Sequence, residues 1–155
     1  MSVFPTTVLL AIDGSEDARL AVTTAVELAN STGSELHVVL VEEGVYVFGA
    51  SSTWTGVPGG YPFTDREQAQ VLEQRARKQL DEEVEEVRSA GGKVAQAHLR
   101  VGDAAAEIVA LAEDIGAGLI VMGSRGQGGI RRAVVGSVSE AVFRHAHCPV
   151  LVVRH

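Results

Sequence analysis

The chain has 155 residues, 46% of them hydrophobic, and carries a formal net charge of -7 with a pI near 5.2. That balance suits one globular domain over 1–155 and excludes an intrinsically disordered chain. The acidity argues against a general nucleic-acid binder, which needs a basic footprint, but leaves room for a small anion held by a few local groups.

Thr7 to Ile12 is a continuous aliphatic run ending at Asp13-Gly14, which predicts a strand buried on both faces. Ser15, followed by Glu16 and Asp17, is a helix start, with a capping hydroxyl and acids in the first turn. Ala18, Ala21, Val22, Ala25, Leu28 and Ala29 recur at helical spacing until Gly33. Leu36 to Val41 predicts a second buried strand. The stretch 43–64 has no period and holds Tyr46, Phe48, Trp54, Tyr61 and Phe63, five of the chain's seven aromatic residues. Long irregular stretches are lids or interfaces in some proteins and tolerated insertions in others, and both readings stay open here.

Asp65 to Ala90 predicts a long helix with Leu72, Ala76, Leu80, Val84 and Val87 as its apolar stripe and an ordinary charged outer face. Lys93 to Val101 is a less apolar third strand, expected at a sheet edge. Asp103 can cap a helix that closes at Gly116. Leu119 to Met122 is a fourth strand, Ser137 opens a last helix to about Ala146, and Pro149 to Val153 is a fifth strand. Strands and helices alternate throughout, which implies a parallel sheet with helices on both faces.

In such a sheet ligands bind beyond the carboxyl ends of the strands, where the winding reverses. Two strand ends have the right character: Ala11-Ile12-Asp13-Gly14-Ser15, and Met122-Gly123-Ser124-Arg125-Gly126 continuing to Gly136-Ser137-Val138-Ser139-Glu140. Glycines let backbone N–H groups approach a phosphate, and a helix start favours an anion. Arg125, Arg131 and Arg132 add positive charge to this segment. Ser137 and Glu140 also have the spacing of a capping box, which opens helices that bind nothing. From the residues alone, phosphate binding and plain helix-start chemistry stay level.

The spacing Gly123-x2-Gly126-x9-Gly136-Ser137 resembles the nucleotide-binding signature of the universal stress protein family, Gly-x2-Gly-x9-Gly-(Ser/Thr). The Asp13-Gly14-Ser15 turn and the ending Cys148-Pro149-Val150-Leu151-Val152-Val153 resemble that family too, and the order of elements matches over nearly the whole chain. The resemblance implies an open five-stranded Rossmann-like sheet of the adenine nucleotide α-hydrolase kind, strand order 3-2-1-4-5. It also implies a site for ATP, ADP or AMP at the end of the first strand (Ala11, Ile12), with Asp13 on the ribose or base side. Val41 would meet adenine through its backbone, and Met122 and Gly123 would line the ribose and phosphate path. Gly126, Gly136, Ser137, Val138 and Ser139 would hold the phosphates, with Arg125 beside them and Mg2+ arriving with the triphosphate. A homodimer joined through Pro149 to Val153 and a role in stress response are further implications.

Rival motifs are missing. There is no Gly-x4-Gly-Lys-(Ser/Thr), and Arg131 stands where a dinucleotide fingerprint needs its third glycine. Gly-x-Ser-x-Gly does not occur. No residue on the phosphate segment stands out to position water, so binding with little or no hydrolysis is expected, the alternatives being a slow ATPase or a ligand-free dimeric interaction module. His145 and His147 suit a helix C-terminus better than a metal. Cys148, the single cysteine, reads as a small core residue. No run approaches the ~18 apolar residues of a membrane span, and no signal peptide is evident after Met1, so a cytoplasmic location is expected.

Overall fold

A computed structural model describes residues 2–43, 65–124 and 136–154; the aromatic stretch from 44 to 64 and the segment 125–135 lie outside the described residues. The strands are β1 (Thr7–Ile12), β2 (Glu35–Glu42), β3 (Val94–Val101), β4 (Ala117–Gly123) and β5 (Val150–Val153). The described helices are α1 (Glu16–Thr32), α2 (Asp65–Ser89), α3 (Ala104–Asp114) and α4 (Ser137–His145).

The five strands form one parallel sheet in the order β3-β2-β1-β4-β5. Successive strand residues face opposite sides, so the aliphatic runs feed two cores at once. Val8, Leu10 and Ile12 of β1 join Leu36, Val38 and Leu40 of β2 under α1 and α2. Leu9 and Ala11 join Val39, Ile120 and Met122 under α3 and α4. The central strands are therefore apolar on both sides, while the edge strand β3 is mostly exposed or half-buried. Chain direction across the sheet reverses between β1 and β4, which places the switch point at the ends of those two strands.

Local chemistry sets the ends of the helices. Ser15 caps α1, its Oγ accepting from the Ala18 N–H at 3.2 Å, and Gly33 closes it in the left-handed region at φ 68°. Asp103 caps α3 by accepting from the Ala106 N–H at 2.9 Å, and Glu43 accepts from the Ala104 N–H beside it at 3.1 Å.

One polar pair interrupts the aliphatic pattern. His37 on β2 is only 8% exposed, and its Nδ1 lies 3.0 Å from Nε2 of His98 on β3. The two rings are nearly parallel, and one donates to the other, the direction being set by the tautomer. Burial lowers the pKa of His98, and the neighbouring His37 and Arg100 push it the same way.

Candidate functional site

The site is assembled where β1 and β4 end and α1 and α4 begin. After Ile12 the chain turns through Asp13, whose Oδ1 accepts from the Ser15 N–H at 2.9 Å. Gly14 stands at φ 77°, a conformation that side chains other than glycine rarely adopt. Asp13 is half-buried at the head of α1. Glu83 of α2 is close enough to feel it: burial raises the pKa of Glu83, Glu86 adds to this, Arg19 opposes it, and Asp13 raises it further. This side of the site is acidic, which suits hydroxyl donors better than phosphate.

The β4 side is built differently. Gly123 lies so close to α1 that a Cβ there would fall 2.8 Å from the Ala18 nitrogen and 2.8 Å from the Asp17 carbonyl carbon. Ser124 follows, buried, with every polar group engaged. Its N–H donates to the Val153 carbonyl at 2.8 Å, and its carbonyl accepts from the Gly136 N–H at 2.5 Å. Its hydroxyl donates to Asp17 Oδ2 at 2.5 Å. Ser124 and Gly136, the described residues on either side of 125–135, are thereby joined at the sheet's carboxyl edge.

Gly136 is the N-cap of α4, at φ -61° and ψ 160°, and among the described residues no side chain caps this helix. Ser137 is its first residue, not its cap. The capping-box alternative is not realised: Glu140 pairs with Arg144 at 2.6 Å. Among the three helices whose N-caps are described, α1 and α3 end on a side-chain acceptor and α4 does not. A helix start without a side-chain acceptor keeps first-turn N–H groups and the positive end of the helix dipole for another partner.

The residues expected to bind ligand distribute as follows. Ala11, Ile12 and Met122 are buried at the ends of β1 and β4, their side chains turned into the cores. Val41 lies one step past the Ile12–Leu40 pair, half-buried on β2. Gly136, exposed Ser137 and half-buried Val138 form the open start of α4. Ser139 is 2% exposed, and its hydroxyl donates to the carbonyls of Ser124 (2.9 Å) and Gly136 (3.0 Å). Its side chain holds the site together from beneath. Arg125 and Gly126, with Arg131 and Arg132, lie outside the described residues. Sequence reasoning passed over Asp17 and Ser124. Asp17 was legible in one respect, since it stands four residues before Ala21 on the stripe that faces the sheet, yet it is charged and 4% exposed. Among the described residues no group of three or more His, Cys, Asp or Glu side chains could hold a metal ion.

Comparison with known proteins places this geometry in context. Residues 5–154 match the model of the universal stress protein family. A protein named as a universal stress protein in Staphylococcus epidermidis is 35% identical over 148 residues, covering 95% of this chain and 82% of its own length. A universal stress family protein from Burkholderia pseudomallei superposes with a TM-score of 0.68 at 29% identity, covering 100% of this chain and 99% of the other. A universal stress protein from Archaeoglobus fulgidus, solved in complex with dAMP, superposes with a TM-score of 0.61 at 25% identity, covering 99% of this chain and 100% of its own.

Proposed function

The chain belongs to the universal stress protein family, and from that premise we propose that it binds ATP or a related adenine nucleotide and acts as a nucleotide-responsive regulatory module in stress response. The observation that carries this reading is the N-terminus of α4, uncapped by any described side chain and held at the switch point beside the end of β4. Gly136, Ser137 and Val138 offer backbone N–H groups to phosphate there, with Arg125 and Gly126 completing the anion side. Asp13 takes ribose hydroxyls, and Val41, Met122 and Gly123 shape the base and ribose path. Mg2+ arrives with the triphosphate and offsets its charge. The dAMP-bound relative supports an adenine nucleotide in this fold.

Turnover is slow or absent in this reading. Hydrolysis needs a group to orient water at the terminal phosphate. The two carboxylates that hydrogen bonding places at the start of α4 are engaged, Asp17 by Ser124 and Glu140 by Arg144. Titration of Mg-ATP into the purified protein is expected to show micromolar binding, with ADP or AMP released far below an enzymatic rate. Absence of heat with ATP, ADP and AMP alike would sink the nucleotide reading and leave a ligand-free interaction module.

A homodimer through Pro149 to Val153 is part of the proposal. Among the described residues β5 pairs with β4 alone, its four residues are half-buried, and Phe143 on the adjoining α4 is 68% exposed. A short apolar edge strand of this kind is a template for a second copy. The Ser124 N–H to Val153 carbonyl bond joins site and edge directly, so occupancy can be read out through assembly. Sedimentation should give a dimer; a monomer at micromolar concentration, with and without Mg-ATP, counts against it.

A further inference from the structure

We propose that Asp17, Ser124 and Ser139 form a clasp that sets the start of α4 against the start of α1, which makes Asp17 and Ser124 positioning residues for nucleotide binding. The inference rests on the nucleotide reading above, since it assigns the regulation of spacing within that same site.

The two halves of the site sit on separate pieces of chain. Asp13 belongs to the turn into α1, and the anion-facing N–H groups belong to α4. A nucleotide that reaches from one to the other is bound well only if their separation is set beforehand. Three hydrogen bonds converge to set it. Ser124 Oγ donates to Asp17 Oδ2 at 2.5 Å, Gly136 N–H donates to the Ser124 carbonyl at 2.5 Å, and Ser139 Oγ donates to the same carbonyl at 2.9 Å. Ser124 thus ties the first turn of α1 to both the cap and the first turn of α4. Asp17, Ser124 and Ser139 are 4%, 4% and 2% exposed, so water competes poorly for these bonds. Asp17 is also stabilised by its place in the first turn of α1.

The clasp predicts that its loss uncouples the two halves without emptying either. Adenosine reports the Asp13 side, and Mg-ATP reports both sides together. Ser124→Ala should weaken Mg-ATP by about tenfold, the scale of one hydrogen bond to a charged group, and leave adenosine unchanged. In the ligand-free protein the Gly136 amide should exchange its hydrogen faster. Ser124→Thr, which keeps the hydroxyl, should recover both. Asp17→Asn, equal in shape and still an acceptor, should fall between. An unchanged ratio of ATP to adenosine affinity in Ser124→Ala overturns the proposal, as does equal weakening of both ligands with a lower melting temperature, which marks a purely structural bond. Both of those results leave the nucleotide reading standing. If the unmodified protein binds neither ligand, the nucleotide reading itself fails and the positioning role fails with it.

Discussion

Gly136→Asp is expected to abolish Mg-ATP binding while making the protein slightly more stable. The backbone at Gly136, φ -61° and ψ 160°, is open to any residue, so glycine is not there for its conformation. Nor is it there to cap, because aspartate caps a helix better by a few tenths of a kcal/mol, and a carboxylate in line with the helix dipole adds about 0.3–1 kcal/mol. The sum, up to about 1 kcal/mol, should raise the melting temperature by roughly 2–4 °C. The same carboxylate would occupy the place proposed for phosphate and repel it. Two unit charges about 4 Å apart interact by about 4 kcal/mol at an effective dielectric of ~20. Even after screening by Mg2+ and solvent, a loss of at least about a hundredfold in affinity is expected, since each tenfold is only about 1.4 kcal/mol. Calorimetric titration and thermal melting on one sample read the two effects, and their opposite signs are the point. A variant that is more stable yet binds ATP as before would show that the α4 start is not where phosphate sits. A variant that loses both would implicate crowding at the site and not charge.

The fold was legible because its signals are local. β1 is a continuous apolar run and β2 is one but for His37, so each had to be covered on both sides, and the structure sets them inside the sheet and away from its edges. Ser15, Gly33 and Asp103 announced helix ends through cap chemistry that works within four residues of itself. The order 3-2-1-4-5, by contrast, came from the resemblance, because periodicity identifies strands and not their neighbours. In the site, the positions of Asp13, Gly123 and Gly136 at strand and helix ends were legible, but the reasons for them were not. The link between Ser124 and Asp17 spans 107 residues of sequence, and no local pattern announces such a bond. Ser139 was expected among the residues that hold the phosphates, and its hydroxyl donates inward to the carbonyls of Ser124 and Gly136, which leaves its backbone for that role. The stacked pair of His37 and His98 was hidden in the same way, since each histidine sits in its own strand 61 residues from the other.

The glycine signature therefore combines two physical demands, and Gly123 shows the second. Gly123→Ala is expected to unfold the protein more readily with or without nucleotide. The added Cβ would meet the Ala18 nitrogen and the Asp17 carbonyl carbon at 2.8 Å and the Asp17 Cβ at 2.9 Å. None of these is the far end of a flexible side chain, so relief requires α1 to move off β4. That motion would open the core where Ala18, Ala21, Val22 and Ala25 lie buried. Overpacking of this kind costs about 1–3 kcal/mol and at times more, and a contact with backbone belongs at the upper end. At roughly 2–4 °C for each kcal/mol, the melting temperature should fall by about 6–12 °C. Gly33→Ala is the control: at φ 68° with nothing within 4 Å, it carries only the left-handed strain of about 1–2 kcal/mol. Chemical denaturation of the ligand-free proteins compares the two. A Gly123→Ala protein as stable as Gly33→Ala would mean that α1 yields easily and that the first signature glycine serves ligand alone. The expected larger loss would mean that the first glycine secures the close approach of strand and helix on which Asp17 and Ser124 meet.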